Sequence, residues 1–193
     1  RLDPGDVLIV NDPYRTAGQL LDITVFAPVW RRSRIIGYVG STIHHTDVGG
    51  YGIGAGARDV YEEGLWIPTC KLMRAGERNE DVWNLILANV RTPDLVTGDL
   101  HAQIASAELA ARRLNRLCDD TGLDDLEAIA DEIIERSERA VRESIAKLPA
   151  GRSEATSELD LVDGSRIKIR AQVEIDPEVG EIHVDYTGSS PAS

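Results

Sequence analysis

Two adjacent histidines and a carboxylate, His44-His45-Thr46-Asp47, lead into a glycine-rich run. The stretch from Thr42 to Gly56 therefore holds two imidazoles, one carboxylate and five glycines. Upstream, Gln19 precedes the apolar run Leu20 to Trp30, which Asp22 interrupts, and Asp12 ends the apolar run Val7 to Val10 within Asn11-Asp12-Pro13-Tyr14. Imidazole and carboxylate at this density suit ligation of a borderline divalent cation such as zinc, manganese or iron, and equally suit general acid/base catalysis. An acid in a strand buried on both faces needs a cation, a hydrogen-bond network or a raised pKa, which makes Asp22 the most informative carboxylate. The same residues also fit a plainer picture: a glycine-rich turn with two hydrogen-bonded structural histidines, and an ordinary Asn-Asp-Pro turn.

The elements that must position these groups are legible as patterns. Side chains alternate across a strand, so His44 and His45, at the end of the β-type run containing Ile35, Ile36, Tyr38 and Val39, are expected on opposite faces. Pro13 stops the first strand and places Asp12 at its exit. The basic stretch Arg31 to Arg34 reads as a solvated hairpin tip. Apolar residues at helical spacing predict one helix over 81–91, stopped by Pro93. A second starts at Thr97 or Asp99 with a stripe of Leu100, Ile104, Ala107, Ala111, Leu114 and Cys118, and a third runs from Asp124 to Leu148. Alternation returns at Ile167, Ile169, Ala171, Val173 and Ile175, followed by the strand Glu181 to Tyr186, so the chain ends in an antiparallel hairpin. That hairpin leaves a poorly protected edge when the piece stands alone, and His183 falls on its wet face.

Of the 193 residues, 42% are hydrophobic, enough for a sizeable core. The net charge of -12 argues against nucleic acid or an anionic membrane as the main partner, because phosphate binding needs clustered Lys and Arg. Cys70 and Cys118 form no short-spaced pair, no apolar run approaches membrane-spanning length, and a cytoplasmic location is expected. The start at Arg1 suggests a piece of a longer polypeptide. Walker, nucleophile-elbow, dinucleotide and His-Glu-x-x-His motifs are absent.

Several stretches, in order, resemble the hydantoinase B/oxoprolinase family. They are Gly5-Asp6-Val7, Asn11-Asp12-Pro13-Tyr14, Leu20 with Asp22, His44-His45-Thr46-Asp47-Val48-Gly49-Gly50, Glu63-Gly64-Leu65 with Pro68, Asn89-Val90-Arg91, Gly98-Asp99-Leu100 with Gln103-Ile104-Ala105, and Asp185-Tyr186-Thr187-Gly188. The resemblance implies a B-type subunit of an ATP-dependent, metal-assisted amidohydrolase that opens cyclic amides or imides of hydantoin or 5-oxoproline type. It would work in a hetero-oligomer beside an actin-like ATPase A-type subunit, which uses the ATP. Related subunits belong to acetone and acetophenone carboxylases, which gives ketone carboxylation as the alternative. The family pattern places metal ligands at Asp22 and His44, and its further histidine falls on Gln19, whose amide is a poorer ligand for zinc-like ions. A scaffold subunit with an impaired site is therefore a third expectation. Thr16 and Ala17 stand in place of the family's glycines and Leu21 in place of its proline, and another acidic ligand is expected from sequence before Arg1. His45, Asp47 and Asp12 are the catalytic candidates, as acid/base or orienting groups.

The expected fold is α+β: a mainly antiparallel sheet, then a helical layer, then a C-terminal β-hairpin. Residues 1–80 form the β-rich segment with the His/Asp site, 81–150 the helical layer, and 151–193 the start of a further sheet region.

Overall fold

The apolar run Val7–Val10 is buried at all four positions and forms β1, the centre of a five-stranded antiparallel sheet. Its other strands are β2 (Asp22–Arg31), β3 (Arg34–His44), β4 (Cys70–Arg74) and β5 (Glu77–Arg78), in the order β3-β2-β1-β4-β5. The computed structural model describes residues 1–193 except 53, 55, 162, 163, 192 and 193. The architecture is α+β, with two compact units, Arg1–Glu127 and Ala128–Ser193.

In the first unit β2 sorts its side chains by parity. Ile23, Val25, Ala27 and Val29 are buried on one face, while Asp22, Thr24 and Phe26 are only half-buried on the other. The buried face meets α3 (Pro93–Thr121), whose Val96, Leu100, Ile104 and Ala107 recur at three- and four-residue spacing and join the same core. The helix α2 (Glu80–Ala88) adds Trp83 and Ile86, and the Trp83 indole N–H donates to the Leu72 carbonyl at 3.2 Å. Pro93 opens α3 instead of closing the helix before it. A missing N–H costs nothing at the first helical position, and Thr92 is the N-cap.

The β2–β3 hairpin turns at Arg32 and Ser33, both at positive φ (46° and 67°). Its ladder pairs Asp22 with His44 and continues to Val29 opposite Gly37. Trp30 then pairs with Ile35, so β3 carries one extra residue, Ile36, as a bulge. The tip is not simply solvated. Arg31 Nη1 donates to Asp119 at 2.7 Å, Arg32 to Asp124 at 2.5 Å, and Arg34 pairs with Asp125. The acidic end of α3 and the residues after it thus neutralise a basic turn some ninety positions upstream, a match invisible to local pattern.

The second unit contains α4 (Glu127–Ile145), from Ala128 onward, and a three-stranded antiparallel sheet, β6 (Gly151–Asp160), β7 (Arg166–Asp176) and β8 (Glu181–Asp185), in the order β6-β7-β8. The hairpin read from alternation is β7–β8. The strand β6 is not among the expected elements, because all ten of its residues are exposed and it has no apolar period. Arg142 on α4 holds the β7–β8 turn through the carbonyl of Val179 at 3.0 Å and the carboxylate of Glu181 at 3.2 Å. An apolar cleft of about 650 Å³ beside it is lined by Ile133, Val141, Ile145 and Ile182. Among the described residues no helix is long and apolar enough to cross a membrane.

Candidate functional site

Asp22 and His44 form the last rung of the β2–β3 ladder, on the face turned away from α3. Residues directly opposite in an antiparallel pair share a face, so register alone brings carboxylate and imidazole together. His44 Nδ1 lies 3.0 Å from Asp22 Oδ1. Gln19, in the turn before β2, completes the group: its Nε2 is 3.0 Å from Asp22 Oδ2 and 3.2 Å from His44 Nδ1. His44 Nδ1 cannot both donate to Asp22 and accept from Gln19, so its two contacts compete for one proton position. Gln19 and His44 open onto a cleft of about 390 Å³, also lined by Leu21, Gly52, Gly54, Ala57 and Glu63.

His45 points the other way. It is fully buried, and its Nε2 lies 3.1 Å from Oε1 of Gln103 on α3. The Gln103 amide nitrogen donates to the carbonyls of Ile23 at 3.0 Å and Ser41 at 3.1 Å, so its oxygen is left for His45, which carries its proton on Nε2. Burial pushes the His45 pKa below its ordinary value, and Nδ1 has no partner among the described residues. The opposite facing of the two histidines follows from the strand period, and the two side chains do different jobs.

Asp47 is also buried and does not line the cleft. Burial alone would raise its pKa. The backbone N–H groups of Gly49, Arg91 and Thr92 and the Arg91 guanidinium outweigh that and hold the carboxyl below the usual range. Gly49 N donates at 2.8 Å, Thr92 N at 3.2 Å and Arg91 Nη1 at 2.9 Å, and Arg91 N donates as well. Asp47 thereby ties the glycine loop to the junction of α2 and α3. Asp12 caps its own turn, accepting from Tyr14 N at 3.0 Å, with Arg15 3.5 Å away, and it too lies outside the cleft lining. Its neighbour Asn11 is the buried member: it donates to the carbonyls of Leu20 at 2.7 Å and Leu65 at 2.9 Å and accepts from Ile67 N at 2.6 Å. Of the six candidate residues, the fold brings together Gln19, Asp22 and His44, and it sets His45, Asp47 and Asp12 in supporting hydrogen-bond networks.

Sequence reasoning gave no role to Glu63, whose carboxylate accepts from Leu20 N at 3.0 Å, or to Gln103. Both lie in stretches that carried the family resemblance, but their partners are 43 and 80 positions away. The glycine loop is bound to the segment that carries Glu63. Tyr51 N donates to Glu62 O at 2.8 Å and Leu65 N to Val48 O at 2.7 Å. At Gly50, φ is +55° and a Cβ would lie 2.5 Å from backbone atoms of Glu62, Glu63 and Gly64, so only glycine fits.

The site and sheet thus define an α+β chain with a Gln/Asp/His cluster at the end of a hairpin, beside a small cleft. The sequence model of the hydantoinase B/oxoprolinase family matches residues 1–193, and the chain belongs to that family. Caprolactamase subunit beta of Pseudomonas jessenii is 35% identical over 192 residues, covering 97% of this chain and 33% of that protein. A 5-oxoprolinase of Pestalotiopsis fici is 34% identical over 205 residues, covering 99% of this chain and 16% of its own length. The crystal structure of the ATP-dependent caprolactamase from Pseudomonas jessenii superposes with a TM-score of 0.86 at 35% identity, over 95% of this chain and 32% of that one. A nucleotide-free acetone carboxylase, 20% identical, shares the fold with a TM-score of 0.81 over 98% of this chain and 27% of its own. The chain thus spans a third or less of these relatives.

Proposed function

We propose that this chain carries part of the metal site of a B-type subunit in an ATP-dependent enzyme that opens cyclic amides. The observation that carries the proposal is the convergence of Gln19, Asp22 and His44. Ligands at about 2.1 Å from an ion and at right angles to one another are about 3.0 Å apart. Here the Gln19 amide nitrogen lies 3.0 Å from Asp22 Oδ2 and 3.2 Å from His44 Nδ1, and His44 Nδ1 lies 3.0 Å from Asp22 Oδ1, so the three side-chain heads converge at that spacing, with Asp22 offering both of its oxygens. With the Gln19 amide turned to present its oxygen, a cation would satisfy all three groups and remove the competition at His44 Nδ1. Among the described residues no third His, Cys, Asp or Glu joins Asp22 and His44, so the set is a partial one, which further ligands of a longer chain would complete.

A bound zinc, manganese or iron ion would polarise a carbonyl or ready a water. Asp22 would supply the one negative charge, His44 its Nδ1, and Gln19 a neutral amide oxygen that weakens affinity relative to imidazole. His45 and Asp47 are positioning residues in this scheme: His45 fixes the strand end beneath His44 through Gln103, and Asp47 fixes the glycine loop that borders the cleft. Asp12 shapes the turn that leads to Gln19. An actin-like ATPase subunit would bind and spend the ATP outside this chain, in a cytoplasmic hetero-oligomer. The 35% identity to a caprolactamase subunit supports amide hydrolysis over ketone carboxylation, for which the acetone carboxylase offers likeness of fold alone.

Elemental analysis of the full-length protein, purified without chelators, tests the assignment beside Gln19→His and His44→Ala. Stoichiometric divalent metal is expected in the natural protein, with loss in His44→Ala. Metal found only in Gln19→His would overturn a working metal site and leave a scaffold subunit.

A further inference from the structure

Glu63 ends the short helix α1 (Val60–Glu63) and lines the same cleft as Gln19 and His44. Its Oε2 is held by the backbone N–H of Leu20 at 3.0 Å, and its other oxygen has no hydrogen-bond partner among the described residues. The segment behind it cannot easily yield, because Gly50 packs against the backbone of Glu62 to Gly64 and two backbone hydrogen bonds lace the segments together. Among the described residues Glu63 does not group with Asp22 and His44 as a metal-holding set, so it is a separate group that shares the cleft with Gln19 and His44. The other lining residues, Leu21, Gly52, Gly54 and Ala57, offer no polar side-chain group. Among the described residues the cleft therefore presents one anionic acceptor, Glu63, together with Gln19 and His44, the two members of the Gln/Asp/His cluster that line it.

We propose that Glu63 recognises the ring N–H of a cyclic amide while the carbonyl of the same amide turns to the Gln19–Asp22–His44 cluster. The proposal rests on the cyclic-amide function and deepens it by naming a specificity-determining residue. An ordinary secondary amide is trans, so its C=O and N–H point to opposite sides. Closing the amide in a small ring forces it cis, and both groups then project from one edge. A cleft that pairs a carbonyl-binding cluster with an anionic acceptor suits that edge better than the two opposed ends of an open-chain amide. A carboxylate acceptor also makes the stronger, charge-assisted type of hydrogen bond.

Isothermal titration of the full-length protein in its native assembly, without ATP, tests this with caprolactam and N-methylcaprolactam as probes. Glu63→Gln keeps an oxygen for Leu20 N and replaces the free acceptor with an NH₂ group. The natural protein is expected to bind the N–H lactam at least tenfold more tightly than the N-methyl form. In Glu63→Gln that preference falls to within about threefold, through weaker binding of the N–H lactam alone. Hydrogen exchange at Leu20 N, unchanged in the variant, shows that the segment is intact. No preference in the natural protein, or an equal loss for both lactams in the variant, would overturn the assignment. Turnover with ATP is read separately: a protein that prefers the N–H lactam, loses that preference in Glu63→Gln and opens no ring would support Glu63 while counting against the proposed reaction.

Discussion

Replacing Asp47 by alanine removes the acceptor of four donors at once: the backbone N–H groups of Gly49, Arg91 and Thr92 and the guanidinium of Arg91. A buried N–H left without a partner costs about 1–3 kcal/mol. The Arg91 side chain is 61% exposed and can return to water, so its ion pair adds little. Three stranded amides, partly relieved by water entering beside Arg91, give a local loss of about 3 kcal/mol, or roughly a hundredfold in the opening equilibrium. Hydrogen exchange of the full-length protein reads this directly. Peptides spanning 47–51 and 89–93 should exchange roughly a hundredfold faster in Asp47→Ala, while those from β1 stay unchanged. Acceleration below about fivefold would refute the clamp. The sign with pH follows from the depressed pKa. Between the folded value and the ordinary 3.8 the unfolded chain binds the proton more readily, so the contribution is full above 3.8 and is lost as pH falls through the folded value. Acid unfolding of these segments should therefore be shallower in Asp47→Asn.

Gly50→Ala and Gly18→Ala both force alanine to positive φ, at +55° and +89°, but only the first drives a Cβ to 2.5 Å from backbone, the second meeting nothing within 4 Å. Gly18→Ala should cost about 1 kcal/mol and Gly50→Ala several times that, with faster exchange around Glu63 in the latter alone. Gln103→Leu removes the amide donor from the carbonyls of Ile23 and Ser41, which keep their ladder partners across β2 and β3, and leaves the His45 N–H unpaired in the core. It should cost about 1–3 kcal/mol, seen as a lower urea midpoint with the denaturant slope unchanged.

Local periodicity located most of the elements, because β2 buries alternate residues and α3 buries a stripe, and both signals are written within a few positions. It likewise separated His44 from His45. It missed β6, whose side chains are all exposed and which is held by backbone pairing with β7 and by cross-strand ion pairs such as Glu154 with Arg170 and Asp160 with Arg166. Pro93 fits both the end of one helix and the first turn of the next, and only the backbone bonds of Leu95 N and Val96 N to the Thr92 carbonyl decide for the latter. The roles of Asp47, Gln103 and Glu63 depend on partners 43 to 80 positions distant, which no window of neighbouring residues contains. Composition marks such residues as polar and no more.

The bulge at Ile36 has a bearing on how this hairpin tolerates change in length. The Asp22–His44 pair is the tenth rung from the turn, and the extra residue near the tip is what sets His44 opposite Asp22. If the bulge were ironed flat with the turn unchanged, Ile43 would face Asp22 and His44 would move to the opposite side of the sheet. The hairpin thus holds one residue of slack. A single deletion within β3 can be absorbed by straightening the strand, and the last rung still closes on Asp22 and His44. A single insertion has no such reserve and must open a second irregularity or exchange the histidine for its apolar neighbour.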